Sequence, residues 1–332
     1  MRRLVLFPLC LLLLLCGGCA GAEGEGDLPL LILRYADNQP EDYPTTAAAE
    51  YFAQLVEERT QGKIRIRLYC NGELGNENQV LEQVQFGGID MARVSVGTFA
   101  EPYPKIEVLL LPFLYDDADH MWRVLDGPIG EEFLISARQA GVVGLSWFDA
   151  GARSFYTREP IGGLEDLRGL TIRVQESAFM SQMVELLGAK PVQIPYNDVY
   201  SALRTGKIDG AENNWPSYAF TGHYQAARYC LQDEHSRLPE MQIMSTVALD
   251  KIAAIDEDYV TIIRQCAREC ALYERELWRA QEADSERLVR EHGCVVAQLT
   301  DAQREAFRRA VEPMYQEYPP EEQALIRRIR ES

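Results

Sequence analysis

The residue types that commonly perform catalysis are present in this chain, but no catalytic motif contains them. The sequence has no Gly-x-Ser-x-Gly elbow, no His-Glu-x-x-His zinc motif, no Gly-x-x-x-x-Gly-Lys loop and no Gly-x-Gly-x-x-Gly fingerprint. Its four histidines, His120, His223, His235 and His292, lack metal-ligand spacing. His235 lies between acidic residues and an arginine, which favours a structural, hydrogen-bonded role. The sequence therefore predicts that the protein is not an enzyme and has no metal site and no cofactor.

Net charge limits the class of partner. Among 332 residues, Asp and Glu number 51 and Lys and Arg number 33, which gives a net charge of −18. Because such a surface repels phosphate backbones, a nucleic-acid partner is disfavoured. An anionic ligand would have to be attracted by a few local cations, against the field of the whole molecule.

The N-terminal segment is typical of an exported protein. Arg2 and Arg3 precede an apolar run from Leu4 to Cys16, which is shorter than the roughly 20 residues of a membrane-spanning helix. Two glycines precede Cys19, as at a lipoprotein cleavage site, although Cys16 occupies a position where leucine is usual. We therefore assign residues 1–19 to a signal peptide or lipoprotein segment and predict lipidation at Cys19.

The remaining cysteines do not indicate a disulfide framework. They are odd in number, and the chain is long enough to form a core without cross-links. We expect them to be small buried apolar residues. They are Cys70, Cys230, Cys266, Cys270 and Cys294.

Short β-branched runs alternate with helical patterns, which predicts an α/β fold. One pattern occurs in residues 78–92 and again in residues 197–211: a helix, a glycine that ends it, and a strand that starts Ile-Asp. Two such units predict two similar lobes that face each other across a ligand cleft. We place lobe I in residues 28–150 plus about 240–279, and lobe II in residues 151–239 plus about 280–332.

Several motifs follow one another in a fixed order in the second half of the chain. They are Gly151-Ala152-Arg153-Ser154-Phe155-Tyr156-Thr157, Ile172-Arg173-Val174, Leu187-Gly188-Ala189, Tyr196-Asn197-Asp198-Val199 and Ile208-Asp209-Gly210-Ala211-Glu212-Asn213-Asn214. Together they resemble the extracytoplasmic solute-binding proteins of TRAP transporters, the DctP-like family. The resemblance implies a two-lobed, periplasmic-binding-protein-like α/β fold with an interlobe ligand cleft and a long helix that spans both lobes.

The same resemblance implies ligand contacts in the second lobe. In that family the arginine of the Ile-Arg-Val strand binds the ligand carboxylate, and Arg173 has this position here. A guanidinium offers a planar fork that matches a carboxylate. Arg153 is expected as a second anion contact, and Asn213 matches the family's ligand-binding asparagine. For each arginine, a surface salt bridge is the alternative.

The sequence Asn213-Asn214-Trp215-Pro216-Ser217-Tyr218 is similar to that of the subgroup that binds hexuronates and related sugar acids. A polyol ring needs neutral hydrogen-bonding groups and an aromatic face. Asn214, Trp215 and Tyr218 are therefore expected at the ligand, with core packing as the alternative for Trp215.

Five residues of the first lobe are further candidates for ligand binding. Asn38 and Gln39 follow the first strand, at the strand end where ligands bind in α/β folds. Glu77 is expected either to accept hydrogen bonds from ligand hydroxyls or to cap a helix. Arg93 and Ser95 follow the first Ile-Asp; Arg93 either lines the cleft or reaches solvent.

The resemblance implies an extracytoplasmic receptor of a TRAP-type secondary transporter. Such a receptor captures a sugar acid, here D-glucuronate or D-galacturonate, through an arginine–carboxylate pair and delivers it to the membrane permease subunits. The alternatives are a C4-dicarboxylate, keto acid or sialic acid on the same arginine, a sensor module, or an exported uronate-acting enzyme. We expect a monomer in the periplasm or on the outer face of the cell membrane, in contact with the membrane only through a lipid anchor.

Overall fold

The computed structural model describes residues 29–332. The export segment assigned to residues 1–19, with Cys19, lies outside the described residues. No helix in the described range is both long enough and apolar enough to cross a membrane.

Strands and helices alternate along the chain, as the pattern of β-branched and helical segments predicts. The strands are β1 (Leu31–Ala36), β2 (Ile64–Tyr69), β3 (Met91–Ser95), β4 (Val142–Phe148), β5 (Ala152–Thr157), β6 (Thr171–Val174), β7 (Lys190–Gln193), β8 (Gly210–Asn213), β9 (Tyr229–Arg237), β10 (Glu240–Ser245) and β11 (Val295–Gln298). The α-helices are α1 (Pro44–Arg59), α2 (Glu77–Phe86), α3 (Val96–Phe99), α4 (Ala118–Leu125), α5 (Pro128–Ser136), α6 (Ala178–Leu186), α7 (Val199–Thr205), α8 (Trp215–Phe220), α9 (His223–Ala226), α10 (Thr246–Ile255), α11 (Glu257–Glu291), α12 (Asp301–Gln316) and α13 (Pro320–Arg330). Short 3-10 helices cover Pro104–Leu110, Ala137–Ala140, Leu164–Leu167 and Tyr196–Asp198.

The strands form two sheets, which confirms the two-lobed α/β fold. The first sheet has the order β2-β1-β3-β10-β4, and the second has the order β11-β9-β5-β8-β6-β7. We call each sheet with its packed helices the first lobe and the second lobe. The chain crosses between the sheets three times: from β4 to β5, from β9 to β10 and from β10 to β11. Strand β10 is antiparallel to both of its neighbours, β3 and β4.

The repeated sequence pattern corresponds to a repeated structural unit. Helix α2 begins with a capping box at Asn76 and ends at Gly87, whose φ of 77° is left-handed. Helix α7 ends in the same way at Gly206, with a φ of 72°. In each copy a strand of the sheet follows the glycine, β3 in the first lobe and β8 in the second. Local capping chemistry therefore sets the same helix-to-strand turn in both lobes.

The predicted long helix is α11, which has 35 residues and begins after an Asp256 side-chain cap. It packs on α1 and β4 of the first lobe and on α8 of the second lobe. Two of the five predicted buried cysteines, Cys266 and Cys270, lie in the core where α11 meets the first lobe. All five are buried and free.

The C-terminal helices contact different parts of the molecule. Helix α12 packs on α6 of the second lobe, whereas α13 packs on the 3-10 helix Pro104–Leu110. In α13, the backbone carbonyl of Ile329 lies 2.7 Å from Nε2 of His120 in α4. The end of the chain therefore returns to elements that precede β4, and the lobe boundaries given above stay a prediction.

Candidate functional site

A cavity of about 260 Å³ lies between the two lobes. Its walls come from loops at the carboxyl ends of β1, β6 and β8 and from the starts of α2 and β10, the region where ligands bind in open α/β sheets. Both lobes contribute polar side chains. Those predicted from the sequence are Asn38, Gln39, Glu77, Arg93, Ser95, Arg153, Arg173, Asn213 and Asn214.

Arg173 on β6 is a buried cation at the cavity wall. Its residue surface is 3% exposed, and its Nε donates a hydrogen bond to the carbonyl of Ile194 at 2.9 Å. Within residues 29–332 no carboxylate forms a salt bridge with this guanidinium. Burial lowers the pKa of Arg173, and the neighbouring charge of Arg153 acts in the same direction. A carboxylate that entered the cavity would compensate this charge.

Arg153 on β5, in contrast, already has a carboxylate partner. Its Nη2 donates to Oε1 of Glu212 at 2.8 Å, and its Nη1 donates to Oδ1 of Asn213 at 2.9 Å. Although burial opposes ionisation of Glu212, the charges of Arg153 and His235 lower the pKa of Glu212 to about 2. The hydrogen bond from Arg153 orients Asn213 at the cavity, and Arg153 itself lines the cavity, so its expected role as a second anion contact stays a prediction.

His235 extends this buried network, which confirms its predicted structural role. Its Nδ1 lies 2.7 Å from Oδ2 of Asp233, and its Nε2 lies 3.6 Å from Oε2 of Glu212, an ionic contact rather than a hydrogen bond. Burial disfavours the charged ring, but the two carboxylates raise the pKa of His235 to about 9. The ring is therefore a cation at neutral pH.

Arg93 on β3 lines the cavity and does not reach solvent, which decides between its two predicted positions. Its Nη1 donates to Glu77 at 2.9 Å and to Glu240 at 3.0 Å, and its Nη2 bonds Asp37 and Asn38. Three carboxylates therefore surround this one guanidinium. They leave Arg93 less able than Arg173 to attract an anion.

Glu77 holds the start of α2 against α3. One carboxylate oxygen accepts a hydrogen bond from the backbone N–H of Ser95 at 2.8 Å, and the other accepts from the hydroxyls of Ser95 and Thr98. The side chain that caps α2 is Asn76, so Glu77 does not have the capping role considered for it. Glu77 and Ser95 form one side of the cavity and are bonded to each other.

Asn214 is placed by the start of α8. Its side chain caps the helix by accepting a hydrogen bond from the backbone N–H of Ser217 at 2.7 Å. Ser217 also lines the cavity, and its hydroxyl lies 3.0 Å from the hydroxyl of Tyr43 in the first lobe.

Trp215 and Tyr218 do not line the cavity, so the expected aromatic face for the ligand is not found at these two residues. Both side chains lie in the apolar core of the second lobe, where Tyr218 stacks on Tyr156 with ring centroids 4.4 Å apart. Because α8 begins at Trp215, residues 215 and 218 share one helical face, and that face packs inward. Core packing, the alternative considered for Trp215, is what the structure shows.

The cavity has further polar residues that the sequence did not indicate as ligand contacts. Gln175 and Glu176 follow β6 and could have been found by the rule applied to Asn38 and Gln39, since ligands bind at the carboxyl ends of strands. Glu240 has no such local signal, because it reaches the cavity through the insertion of β10 between β3 and β4. The remaining ones are Asn76, Thr98, Tyr196, Asn197, Asp198 and Ser217.

Comparison with known proteins gives the same fold and identifies the family. A TRAP periplasmic solute binding protein from Xanthobacter autotrophicus PY2, solved with bound β-D-galacturonate, is 40% identical; the match covers 90% of this chain and 99% of that one with a TM-score of 0.87. A second one, from Chromohalobacter salexigens DSM 3043 with bound D-glucuronate, is 34% identical over 90% and 99% of the two chains with a TM-score of 0.86.

More distant relatives differ in the ligands that their names give. The sialic acid-binding periplasmic protein SiaP of Vibrio cholerae is 27% identical over 82% of this chain and 83% of its own length. Residues 35–321 match the family described as bacterial extracellular solute-binding protein, family 7, or DctP. This match covers most of the chain and agrees with the two-lobed fold and the interlobe cavity. The protein therefore belongs to the DctP family of bacterial extracellular solute-binding proteins.

Proposed function

We propose that this protein is the receptor of a TRAP-type transporter and that it captures a hexuronate, D-galacturonate or D-glucuronate. The observation that carries the proposal is Arg173, a buried guanidinium at the cavity wall with no salt bridge to any residue of the described range. The ligand carboxylate takes the place of that missing partner. Arg153 and Asn213, which line the cavity and are hydrogen-bonded to each other, are the further ligand contacts.

The remainder of the cavity suits hydroxyl groups. Oε1 of Gln39, Oε1 of Gln175 and Oε2 of Glu240 are buried and lack hydrogen-bond partners within residues 29–332. A buried polar atom without a partner is unfavourable, and a ligand hydroxyl can donate to each of them. The bound galacturonate and glucuronate in the two solved relatives have the same combination of one carboxylate and several hydroxyls.

We also propose a wider role, which the family match and the N-terminal sequence support. The protein acts as an extracytoplasmic monomer without enzyme activity, is anchored by a lipid on Cys19, and delivers its ligand to the membrane permease subunits. Mass spectrometry of the protein purified from its host tests the anchor, because a lipid mass on Cys19 is expected in the wild type and not in Cys19→Ala.

A thermal-unfolding panel tests the ligand class. The protein lacking its export segment is heated with hexuronates, aldonates, sialic acid and C4-dicarboxylates. A ligand at 100 times its dissociation constant stabilises the native state by about 2.7 kcal/mol. We expect a rise in Tm with one or both hexuronates. A rise with sialic acid or dicarboxylates alone would overturn the sugar-acid assignment and keep the receptor role.

A further inference from the structure

Glu240 is a buried carboxyl group at the cavity wall. It is the first residue of β10, directly after the chain returns from the second lobe to the first. The residue is 8% exposed and lines the cavity. Its Oε1 accepts a hydrogen bond from Arg93 at 3.0 Å, whereas its Oε2 has no hydrogen-bond partner within residues 29–332.

The surroundings of Glu240 are rich in negative charge. Asp37, Glu77 and Glu240 all contact the single guanidinium of Arg93, at 2.5 Å, 2.9 Å and 3.0 Å. We call these four residues the Arg93 cluster. Burial raises the pKa of Glu240 to about 8; the carboxylates of Glu77 and Asp37 add to this effect, while Arg93 and Arg153 oppose it. Both protonation states of Glu240 are therefore accessible near neutral pH.

A hydroxyl group fits Oε2 of Glu240 in either protonation state. It donates a hydrogen bond to an ionised carboxylate oxygen and accepts one from a protonated carboxyl group. A ligand carboxylate has no proton to donate at neutral pH. When Glu240 is ionised, a ligand carboxylate would also be a fourth negative group at the Arg93 cluster, where like charges repel in a partly desolvated site. The discrimination against a second carboxylate therefore depends on the ionised form of Glu240.

We propose that Glu240 determines specificity for the hydroxylated end of the ligand. Its Oε2 hydrogen-bonds one ligand hydroxyl, and the Arg93 cluster rejects a ligand that has a second carboxylate at that end. The inference rests on the proposed function, in which the ligand's own carboxylate binds Arg173 in the second lobe. The two arginines thus differ in use: Arg173 binds an anion, and Arg93 is held by carboxylates that select a neutral polar group.

Calorimetric titration with deoxy sugars tests the hydrogen bond. The probes are D-galacturonate, D-glucuronate and the analogues of each that lack one ring hydroxyl. In the wild type, one analogue should bind about ten-fold or more weakly than its parent. Glu240→Ala should bind the parent uronate more weakly than the wild type by a similar factor. Removal of that one hydroxyl from the ligand should then cause no further loss of affinity. The matched control is Glu77→Gln, which loses a charge beside the same guanidinium. This variant should still bind the deoxy analogue more weakly than the parent uronate, as the wild type does.

A second variant keeps the test valid if Glu240→Ala does not fold. Glu240→Gln keeps an oxygen for Arg93 and removes the negative charge. At a pH of about 9, where Glu240 of the wild type is ionised, the affinity of this variant for galactarate, which has a carboxylate at each end, should be about ten-fold higher relative to its affinity for galacturonate than in the wild type. The proposal is overturned if removal of each hydroxyl lowers the affinity of Glu240→Ala by the same factor as that of the wild type. It is also overturned if Glu240→Gln and the wild type have the same ratio of the affinities for galactarate and galacturonate. In either case normal uronate binding by the wild type would leave the proposed function intact. Absence of uronate binding by the wild type would overturn both.

Discussion

The hydroxyl groups of Tyr43 and Ser217 lie 3.0 Å apart and join the two lobes beside the cavity. Tyr43 precedes α1 in the first lobe, and its ring packs edge-on against Phe220 of the second lobe and Trp278 of α11. The contact therefore belongs to the arrangement in which the lobes enclose the cavity. Its loss should favour separation of the lobes over enclosure of a ligand.

Tyr43→Phe removes this hydrogen bond and keeps the ring. Because a hydrogen bond contributes about 0.5–1.5 kcal/mol, we expect the affinity for the uronate to fall by a factor of about two to ten. Calorimetry measures the change. Tyr51→Phe is the matched control, since the Tyr51 hydroxyl bonds Glu269 of α11 and does not contact the second lobe. Equal affinities of the two variants would contradict the link between this contact and binding.

Arg173→Ala should abolish most of the ligand affinity. Removing one partner of a buried charge pair costs about 3–5 kcal/mol, so a loss of at least about a hundred-fold is expected. Arg173→Lys should recover only part of this, because an ammonium group lacks the planar fork. Arg287→Ala, at an exposed arginine that pairs with Asp284 on α11, is the control. Unchanged binding by Arg173→Ala would remove this residue from the site.

The buried pair of Glu212 and His235 predicts how stability depends on pH. The pKa of His235 is raised to about 9 in the folded state. Its contribution to stability is therefore complete below the ordinary histidine pKa of about 6.5 and is lost as the pH rises toward 9. Glu212, with a pKa lowered to about 2, contributes above its ordinary pKa and loses that contribution as the pH falls toward 2.

Urea unfolding at a series of pH values tests the contribution of His235 to stability. The free energy of unfolding of the wild type should decrease between pH of about 6.5 and about 9 relative to that of His235→Gln. His292→Gln, at an exposed histidine at the end of α11, should follow the wild type. Parallel curves for all three proteins would show that His235 is not charged in the folded state.

A substitution of Tyr218 tests whether this residue stabilises the core or contacts the ligand. Its hydroxyl donates a hydrogen bond to the carbonyl of Ala227 inside the second lobe. Tyr218→Phe should therefore lower the free energy of unfolding by about 1 kcal/mol and leave uronate affinity unchanged. A ten-fold loss of affinity without loss of stability would instead restore the contact with the ligand that the sequence predicts.

The parts of the fold that local chemistry determines were predictable from the sequence. The charged helical pattern between Asp256 and about His292 predicts one long helix, and the helix runs from Glu257 to Glu291, because a side-chain cap and continuous helical periodicity are local signals. The two lobes were predictable from the repeated helix, glycine and strand, because a glycine that ends a helix is also a local signal.

The parts of the site that depend on packing between distant segments were less accessible. Asn214 is a helix-capping residue and a proline follows two positions later, so the start of α8 is predictable from the sequence. The sequence does not indicate which face of α8 packs against the core. In the structure, the face that packs against the core includes Trp215. Similarly, Glu240 becomes a wall of the cavity only because β10 pairs with strands about 145 and 95 residues earlier in the chain.

The position of β10 also bears on the order of folding. Strands β3 and β4 are not paired with each other; β10 lies between them, so the first sheet is incomplete until residue 245 has been made. The second sheet gains its edge strand, β11, only at residue 298. Neither lobe can therefore finish folding as an independent N-terminal unit during synthesis. Completion of both lobes therefore has to wait for the C-terminal third of the chain, and a chain of this length and topology should pass through partly folded intermediates in which the edges of both sheets are still unpaired.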